Sequence, residues 1–206
     1  MARPKKALIT RERAIEAALE LIESDGLGEF SLGAVARRLG VKPPSLYHHF
    51  KDKDELLELV ARDILASVDF PDERKGDWEE RTLSICLDTR RALLAHPNAA
   101  PLILQFFPRH IMLPAYDHAV SEYPENRALH MAILEAVEKL TYGSALFQAA
   151  ARSKGTPTMP AFDSARFPSL AKSVAANPYE DEQLFIEAMR MLIAGVRVRS
   201  AQIQAD

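Results

Sequence analysis

The sequence predicts an all-α protein with an N-terminal head of three helices and a larger helical body. Along the 206 residues, apolar residues recur at three- and four-residue spacing, which places them on one face of a helix. No stretch shows the alternation of apolar and polar residues that is typical of a half-buried strand. Glycines and prolines separate the helical stretches. We therefore expect only helices, with a domain boundary between residues 1–52 and 53–206.

The first helix is predicted over residues 10–24, after a basic arm formed by residues 1–9. The side-chain oxygen of Thr10 can cap its first turn. Gly26 and Gly28 follow the helix and end it. Its apolar face consists of Ala14, Ala17, Ala18, Leu21 and Ile22.

Two short helices are predicted next, joined by a tight turn. Ser31 can cap the first of them, and Gly40 ends it because glycine adopts a positive φ at little cost. Pro43 and Pro44 lack N–H groups that a first helical turn leaves unpaired, so a second helix is predicted over 44–50. This arrangement is typical of a helix-turn-helix, whose second helix enters the major groove of DNA.

The exposed positions of the second helix are the candidates for contact with DNA. Leu46 and Phe50 are expected to point into the core of the head, four residues apart on one face. Lys42 and His48 are our candidates for reading bases, while Pro43 offers an apolar surface to a thymine methyl. The candidate DNA-binding residues on this segment are Lys42, Pro43, Ser45, Tyr47, His48 and His49.

The two adjacent histidines have two other interpretations, a metal site and a solvated face. Neighbouring residues on a helix point about 100° apart, so His48 and His49 cannot chelate one ion together. We predict no metal site and no cofactor.

The body is predicted to begin with a helix capped by Asp52, with Glu55 three residues later as in a capping box. That helix runs to about residue 68 and is followed by a polar linker over 69–77. Residues 152–178 contain four prolines and are predicted to form a long loop. The remaining helices are predicted over residues 78–95, 98–107, 115–121, 125–151 and 179–202.

Composition favours a cytoplasmic protein that binds DNA through its head. No apolar run approaches the roughly 18 residues of a membrane span, and the N-terminus lacks a hydrophobic signal core. The single cysteine, Cys86, excludes an internal disulfide. Residues 1–53 carry ten Lys and Arg against seven Asp and Glu, net +3, whereas the remainder carries 16 against 22, net −6. A basic head on an acidic body presents one end to phosphates, although a difference this small also arises by chance.

Two stretches, ALELIESDGLGEFSLGAVARRLGV and SLYHHFKDKDELL, closely resemble the DNA-binding region of the tetracycline-repressor (TetR) family. The resemblance implies that Tyr47 packs against the sugar-phosphate backbone and that Lys53 contacts a phosphate. Ser31, at a helix N-terminus, can also meet a phosphate. A further stretch, DWEERTLSICLDTRRALLAHPNAAPLI, is similar to the start of the ligand-binding domain of tetracycline repressors.

The resemblance implies a homodimer that binds a palindromic operator, with recognition helices about one helical turn, ~34 Å, apart. We expect residues 125–151 and 179–202 of two chains to form a four-helix bundle, because their apolar stripes exceed what a monomer exposes. A small-molecule inducer would favour a conformation whose heads no longer match the operator.

The inducer is expected to bind an apolar cavity in the body. Arg90, Gln105, His110 and Gln148 could supply polar groups there, although apolar residues of this kind also serve simply as core. The resemblance places Ile85 and Ile103 where tetracycline repressors carry a polar contact and a magnesium-binding histidine, so we expect an apolar inducer without magnesium. The candidate ligand-binding residues are Ile103, Phe106, Phe107, Tyr116, Tyr142 and Phe147.

Two other classes of function stay open at this point. One is a DNA-binding regulator that senses no small molecule, and the other is an all-helical enzyme or carrier with an incidental helix-turn-helix. The sequence lacks a Gly-rich phosphate loop, H-E-x-x-H and G-x-S-x-G. We therefore predict a transcriptional repressor rather than an enzyme.

Overall fold

The computed structural model describes residues 9–68, 76–124 and 126–205. Within these ranges the chain forms helices and turns and no strand, which confirms the all-α class. The basic residues Arg3, Lys5 and Lys6 of the predicted arm lie outside the described residues, as does most of the predicted linker. No helix in the described ranges is both long enough and apolar enough to cross a membrane.

The first two helices of the head begin at the predicted caps. Helix α1 spans Arg11–Asp25, and Oγ1 of Thr10 accepts the Arg13 N–H at 3.2 Å. Helix α2 spans Leu32–Arg38, and Oγ of Ser31 accepts the Ala34 N–H at 3.1 Å. Gly40, after α2, has a φ of +68°, as its predicted role at the end of that helix requires.

The predicted second helix of the helix-turn-helix is shorter than expected. We call residues 42–50 the recognition segment; it contains a single 3₁₀ turn over Pro43–Ser45, followed by further turns. Most of its backbone hydrogen bonds span three residues, as between the Leu46 N–H and the Pro43 carbonyl. The prediction of a helix over 44–50 is wrong, because the N–H groups that follow the prolines mostly bond to carbonyls three residues back, which winds the segment into 3₁₀-type turns. Leu46 and Phe50 are nevertheless buried, as predicted.

Helix α3 spans Lys53–Ala66 and connects the head to the body. Oδ1 of Asp52 accepts the Glu55 N–H at 2.9 Å, which confirms the predicted cap. The buried residues of α3 belong to one apolar cluster that also contains residues of α1 and α2 and body residues such as Leu93 and Leu102. Because α3 packs against both parts, the boundary at residue 52 stays a prediction.

The body is built on three long helices that pack against each other. The predicted helix over 98–107 is reduced to four residues, because residues 98–101 form turns and the backbone leaves the helical region at Phe106, with a φ of −113° and a ψ of 88°. The helices after α3 are α4 (Trp78–Ala95), α5 (Leu102–Gln105), α6 (Pro108–Ile111), α7 (Leu113–Ser121), α8 (His130–Lys154), α9 (Pro168–Ala176) and α10 (Asp181–Ala205). Among these, α4, α8 and α10 contact one another.

The prediction of a loop over 152–178 is wrong at both ends. Helix α8 continues to Lys154 and ends at Gly155, which has a φ of +61°. Helix α9 begins at Pro168, where proline is favourable because the first helical turn needs no N–H donor. Pro168 therefore starts a helix, although the sequence analysis counted it as a loop signal.

A buried arginine links the three long helices of the body. Arg90 of α4 is 1% exposed, and its Nε donates to Oγ of Ser144 in α8 at 2.9 Å. Its guanidinium also pairs with Asp181, the first residue of α10, and lies 5.3 Å from the ring centroid of Phe185. This contact determines where α10 meets the other two helices.

Candidate nucleic-acid interface and ligand cavity

The predicted DNA-contacting side chains lie at the surface of the head. Lys42, Pro43 and His48 are exposed, and Tyr47 is 60% exposed, an unusual position for a large aromatic residue. Ser45 and His49 are half-buried. The structure brings Lys42, Ser45, His48 and His49 together along one shallow groove, which Tyr47 and Pro43 do not line.

Arg11 anchors the recognition segment to the first helix. Its guanidinium donates to the His49 carbonyl and to Oε1 of Glu55, the latter at 2.6 Å, and lies 4.9 Å from the Phe50 ring centroid. Oε2 of Glu55 accepts the Lys51 N–H at 2.6 Å. This N–H, and then Arg11, hold the pKa of the Glu55 carboxyl below its ordinary value. The carboxylate therefore joins α1, the recognition segment and α3.

This role of Arg11 was not predicted from the sequence. Arg11 and His49 are 38 positions apart, and no spacing rule relates them. The capping pattern identified Glu55, but it did not show that the carboxylate bonds to the Lys51 N–H and to Arg11.

Two further predicted contacts lie at the starts of α2 and α3. The Ser31 side chain is exposed, and because its oxygen already accepts the Ala34 N–H, its hydroxyl hydrogen is the group available to a phosphate. Lys53 is also exposed, and its Nζ lies 5.5 Å from the Phe30 ring centroid. That contact holds an ammonium group at the N-terminus of α3.

The body contains a mostly apolar cavity of about 90 Å³ between α3, α4, α7 and α8. Ile85 and Cys86 of α4 form one wall, and Leu65 contributes a wall from α3. Among the predicted ligand-binding residues, Tyr116 and Tyr142 line this cavity. Its other lining residues are Thr82, Thr89, Met112, Ala115, Ala119, Tyr123, Leu134, Val137, Glu138 and Thr141.

The other four predicted ligand-binding residues do not line it. Ile103 is buried in the core shared with the head, and Phe106 packs against that core. Phe107 is 58% exposed and Phe147 is 80% exposed. Helix α5 has only four residues, so it is too short to present one continuous face to the cavity. Phe147 lies about 240° around α8 from Thr141, which lines the cavity, so its side chain points elsewhere.

A hydrogen-bonded network closes one end of the cavity. The Tyr116 hydroxyl donates to Oε1 of Glu138 at 3.0 Å, and the hydroxyl oxygens of Tyr116 and Tyr142 are 3.4 Å apart. The Glu138 carboxylate also pairs with Arg109. Burial raises the pKa of Tyr116 and raises that of Tyr142 to about 12, so both hydroxyls keep their protons at neutral pH.

Glu138 was missed by the sequence analysis, although a signal for it exists. It precedes Tyr142 by four positions, so both lie on the same face of α8. An acidic residue on an otherwise apolar face is the pattern that indicates a buried polar group. Within the described ranges, no group of three His, Cys, Asp or Glu side chains could hold a metal ion.

The sequence profile of the bacterial regulatory proteins of the tetR family matches residues 14–60. This match begins in α1, includes the recognition segment and ends in α3. Each predicted DNA-contacting residue from Ser31 to Lys53 lies within it.

Two characterised relatives extend the similarity beyond the head. A region of 97 residues is 35% identical to an HTH-type transcriptional regulator of Saccharopolyspora erythraea, covering 47% of this chain and 41% of that protein. The chain thus spans less than half of that regulator. The class D tetracycline repressor of Escherichia coli is 29% identical over 199 residues, which cover 94% of this chain and 91% of the repressor.

Solved structures share the whole fold. Apo ActR from Streptomyces coelicolor superposes with a TM-score of 0.75 at 22% identity, covering 98% of this chain and 99% of ActR. A single-residue variant of TetR from Acinetobacter baumannii AYE, in complex with minocycline, has a TM-score of 0.68 at 25% identity. That comparison covers 92% of this chain and 93% of the variant.

Proposed function

We propose that this chain is a homodimeric repressor of the TetR family that a small molecule releases from a palindromic operator; the profile match to residues 14–60 and the similarity to the class D tetracycline repressor support the proposal. The exposed recognition segment, anchored by Arg11, is the observation that carries the proposal. In this proposal Lys42 and His48 read bases, and Pro43, Ser45 and His49 lie against the groove. Tyr47, Lys53 and Ser31 contact the backbone. The protein acts in the cytoplasm, where its operator lies.

The proposed dimer is supported by exposed apolar side chains on α8 and α10. Phe147 of α8 and Met191 of α10 are large and mostly exposed. Gly195 of α10 is exposed and has open space around it, so another helix can approach closely there. A four-helix bundle of α8 and α10 from two chains would cover these side chains and would hold two heads at a defined spacing.

The proposed release by a ligand is supported by the position of the cavity. Leu65 lines the cavity and belongs to α3, whose first turn bonds to Arg11 through Glu55. A volume of about 90 Å³ is smaller than the ~300–1,000 Å³ of most ligand sites, so a ligand must displace a wall. Displacement of the α3 wall would move the head relative to the bundle. The minocycline complex of a protein with this fold supports the proposal that this chain binds a small molecule.

Selection of binding sites from random duplex DNA by the purified protein tests the proposal. We expect an enriched palindrome, and its affinity should fall steeply with salt because Lys and Arg displace counterions from phosphates. Enrichment of no sequence, or of a single asymmetric half-site, would contradict the proposed function.

A further inference from the structure

We propose that the cavity selects neutral, mostly apolar molecules that carry a hydroxyl or N–H donor, and that it rejects anions. The inference rests on the proposed function, since this molecule would be the one that releases the operator. It is carried by the network of Tyr116, Glu138 and Tyr142, together with Thr141, which we call the polar end of the cavity.

The polar end has more hydrogen-bond acceptors than donors. Tyr116 has one hydroxyl hydrogen and gives it to Glu138, so Tyr142 must be the donor in the contact between the two tyrosines. The lone pairs of the Tyr142 oxygen are then available, and a carboxylate offers about four acceptor positions. A ligand that brings a donor therefore completes the network, whereas an acceptor-only ligand would compete with the Tyr116 oxygen for the single Tyr142 hydroxyl hydrogen.

Thr141 adds a second polar group without an oxygen or nitrogen partner. It is 3% exposed, and its Oγ1 forms no hydrogen bond to nitrogen or oxygen among the described residues. The neighbouring Cys86 thiol is a weak partner, and burial raises its pKa to about 11. A buried hydroxyl without a strong hydrogen-bond partner is stabilised by a ligand that can both donate and accept a hydrogen bond, as an alcohol or phenol does.

The charge of the cavity disfavours anions. Glu138 is the one charged residue that lines it, with a side chain only 10% exposed, and no Lys, Arg or His from the described part of the chain does so. An anion would therefore lose its hydration without gaining a cationic partner in the lining. A cationic ligand would gain little binding free energy from Glu138, because Arg109 already compensates the charge of that carboxylate.

Size and access indicate a compact ligand. The cavity of about 90 Å³ is smaller than the ~150 Å³ of an apolar cavity that binds benzene, so a one-ring molecule would fit after a small displacement of a wall. Met112 and Ala115 line both this cavity and a surface groove between the end of α3 and the start of α7. Rotation of the flexible Met112 side chain would join the two spaces, which gives a route of entry and room for a longer ligand.

Calorimetric binding of four probes with a common ring tests the inference on the full-length protein without DNA. The probes are p-cresol, toluene, p-methylanisole and p-toluate. We expect p-cresol to bind about tenfold more tightly than toluene or p-methylanisole, and p-toluate to show no saturable binding. Equal binding of toluene and p-cresol, or tightest binding of p-toluate, would overturn the inference.

A matched pair of variants locates the selectivity. Tyr142→Phe removes one hydroxyl from the polar end and should bring the affinities of p-cresol and toluene to within about twofold of each other. Tyr179→Phe removes a hydroxyl outside the cavity and should leave the tenfold ratio unchanged. Unchanged selectivity in folded Tyr142→Phe would overturn the assignment to this network. The wild-type ranking stands as a test even if that variant fails to fold.

The outcome is separable from that of the proposed function. If the ranking holds but no operator is found, the proposed function fails and the cavity chemistry stands. If an operator is bound but the ranking is reversed, the inference fails and the DNA-binding role stands.

Discussion

Arg11, at the start of the first helix, donates to the carboxylate of Glu55 at 2.6 Å, across 44 positions of sequence. The same guanidinium donates to the His49 carbonyl. Because the recognition segment has few hydrogen bonds of its own, this contact helps to determine how it is presented to DNA.

Glu55→Gln should lower operator affinity several-fold, because the neutral amide cannot form charge-assisted bonds with both Arg11 and the Lys51 N–H. Gel-shift titration measures the effect. Glu58→Gln is the matched control, since Glu58 lies on the same helix but pairs with Arg62 in an exposed contact. Equal losses in the two variants would show that only helix charge matters.

Low pH should lower the stability of the head, because it protonates the Glu55 carboxylate. The pKa of Glu55 is held below its ordinary value of 4.5, so its contribution is present above that pH and is lost as the pH falls through the lowered pKa. Thermal unfolding from about pH 6 to about pH 3 should therefore show a flatter decline in Glu55→Gln than in the wild type. Parallel declines would exclude this carboxylate as a source of acid sensitivity.

Tyr47→Ala and Lys53→Ala should each weaken binding to every DNA sequence, whereas changes at Lys42 or His48 should also alter sequence preference. Lys53→Ala should also reduce the slope of log affinity against log salt by about 0.9. Lys172→Ala, on exposed α9, is the control for loss of one positive charge. If Tyr47→Ala binds like the wild type, the recognition segment is assigned incorrectly.

Leu192→Glu or Gly195→Arg should dissociate the dimer, because each places a charge or a large side chain on the α10 face expected to meet the partner. Operator affinity should fall by about a hundredfold through loss of bivalency. Sedimentation velocity gives the assembly state. Leu113→Glu adds the same charge at an exposed side chain of α7 and should leave the protein dimeric. A monomeric wild type at micromolar concentration would refute the bundle.

Asp181→Ala should lower the free energy of unfolding by about 2 kcal/mol, because it leaves the buried Arg90 charge without its carboxylate. Glu182→Ala removes the neighbouring exposed pair with Arg91 and should cost only about 0.5 kcal/mol. Urea denaturation measures both values. Similar small losses would show that Arg90 is adequately paired by Ser144 alone.

The sequence by itself determined the features that depend on neighbouring residues. The caps at Thr10, Ser31 and Asp52 each accept the backbone N–H three positions away, so their pattern predicts where helices start. The burial of Leu46 and Phe50 followed from their spacing in the same way. The resemblance to the TetR family, carried by short motifs in the head, was confirmed by the profile match to residues 14–60.

Only the tertiary structure decided which distant residues meet. Arg90 and Asp181 are 91 positions apart, and Tyr116 and Glu138 are 22 apart, so no local rule pairs them. The large apolar residues Ile103, Phe107 and Tyr142 look alike in sequence, yet they occupy core, surface and cavity. Apolar burial is non-directional, and the packing of whole helices determines which of these side chains the cavity receives.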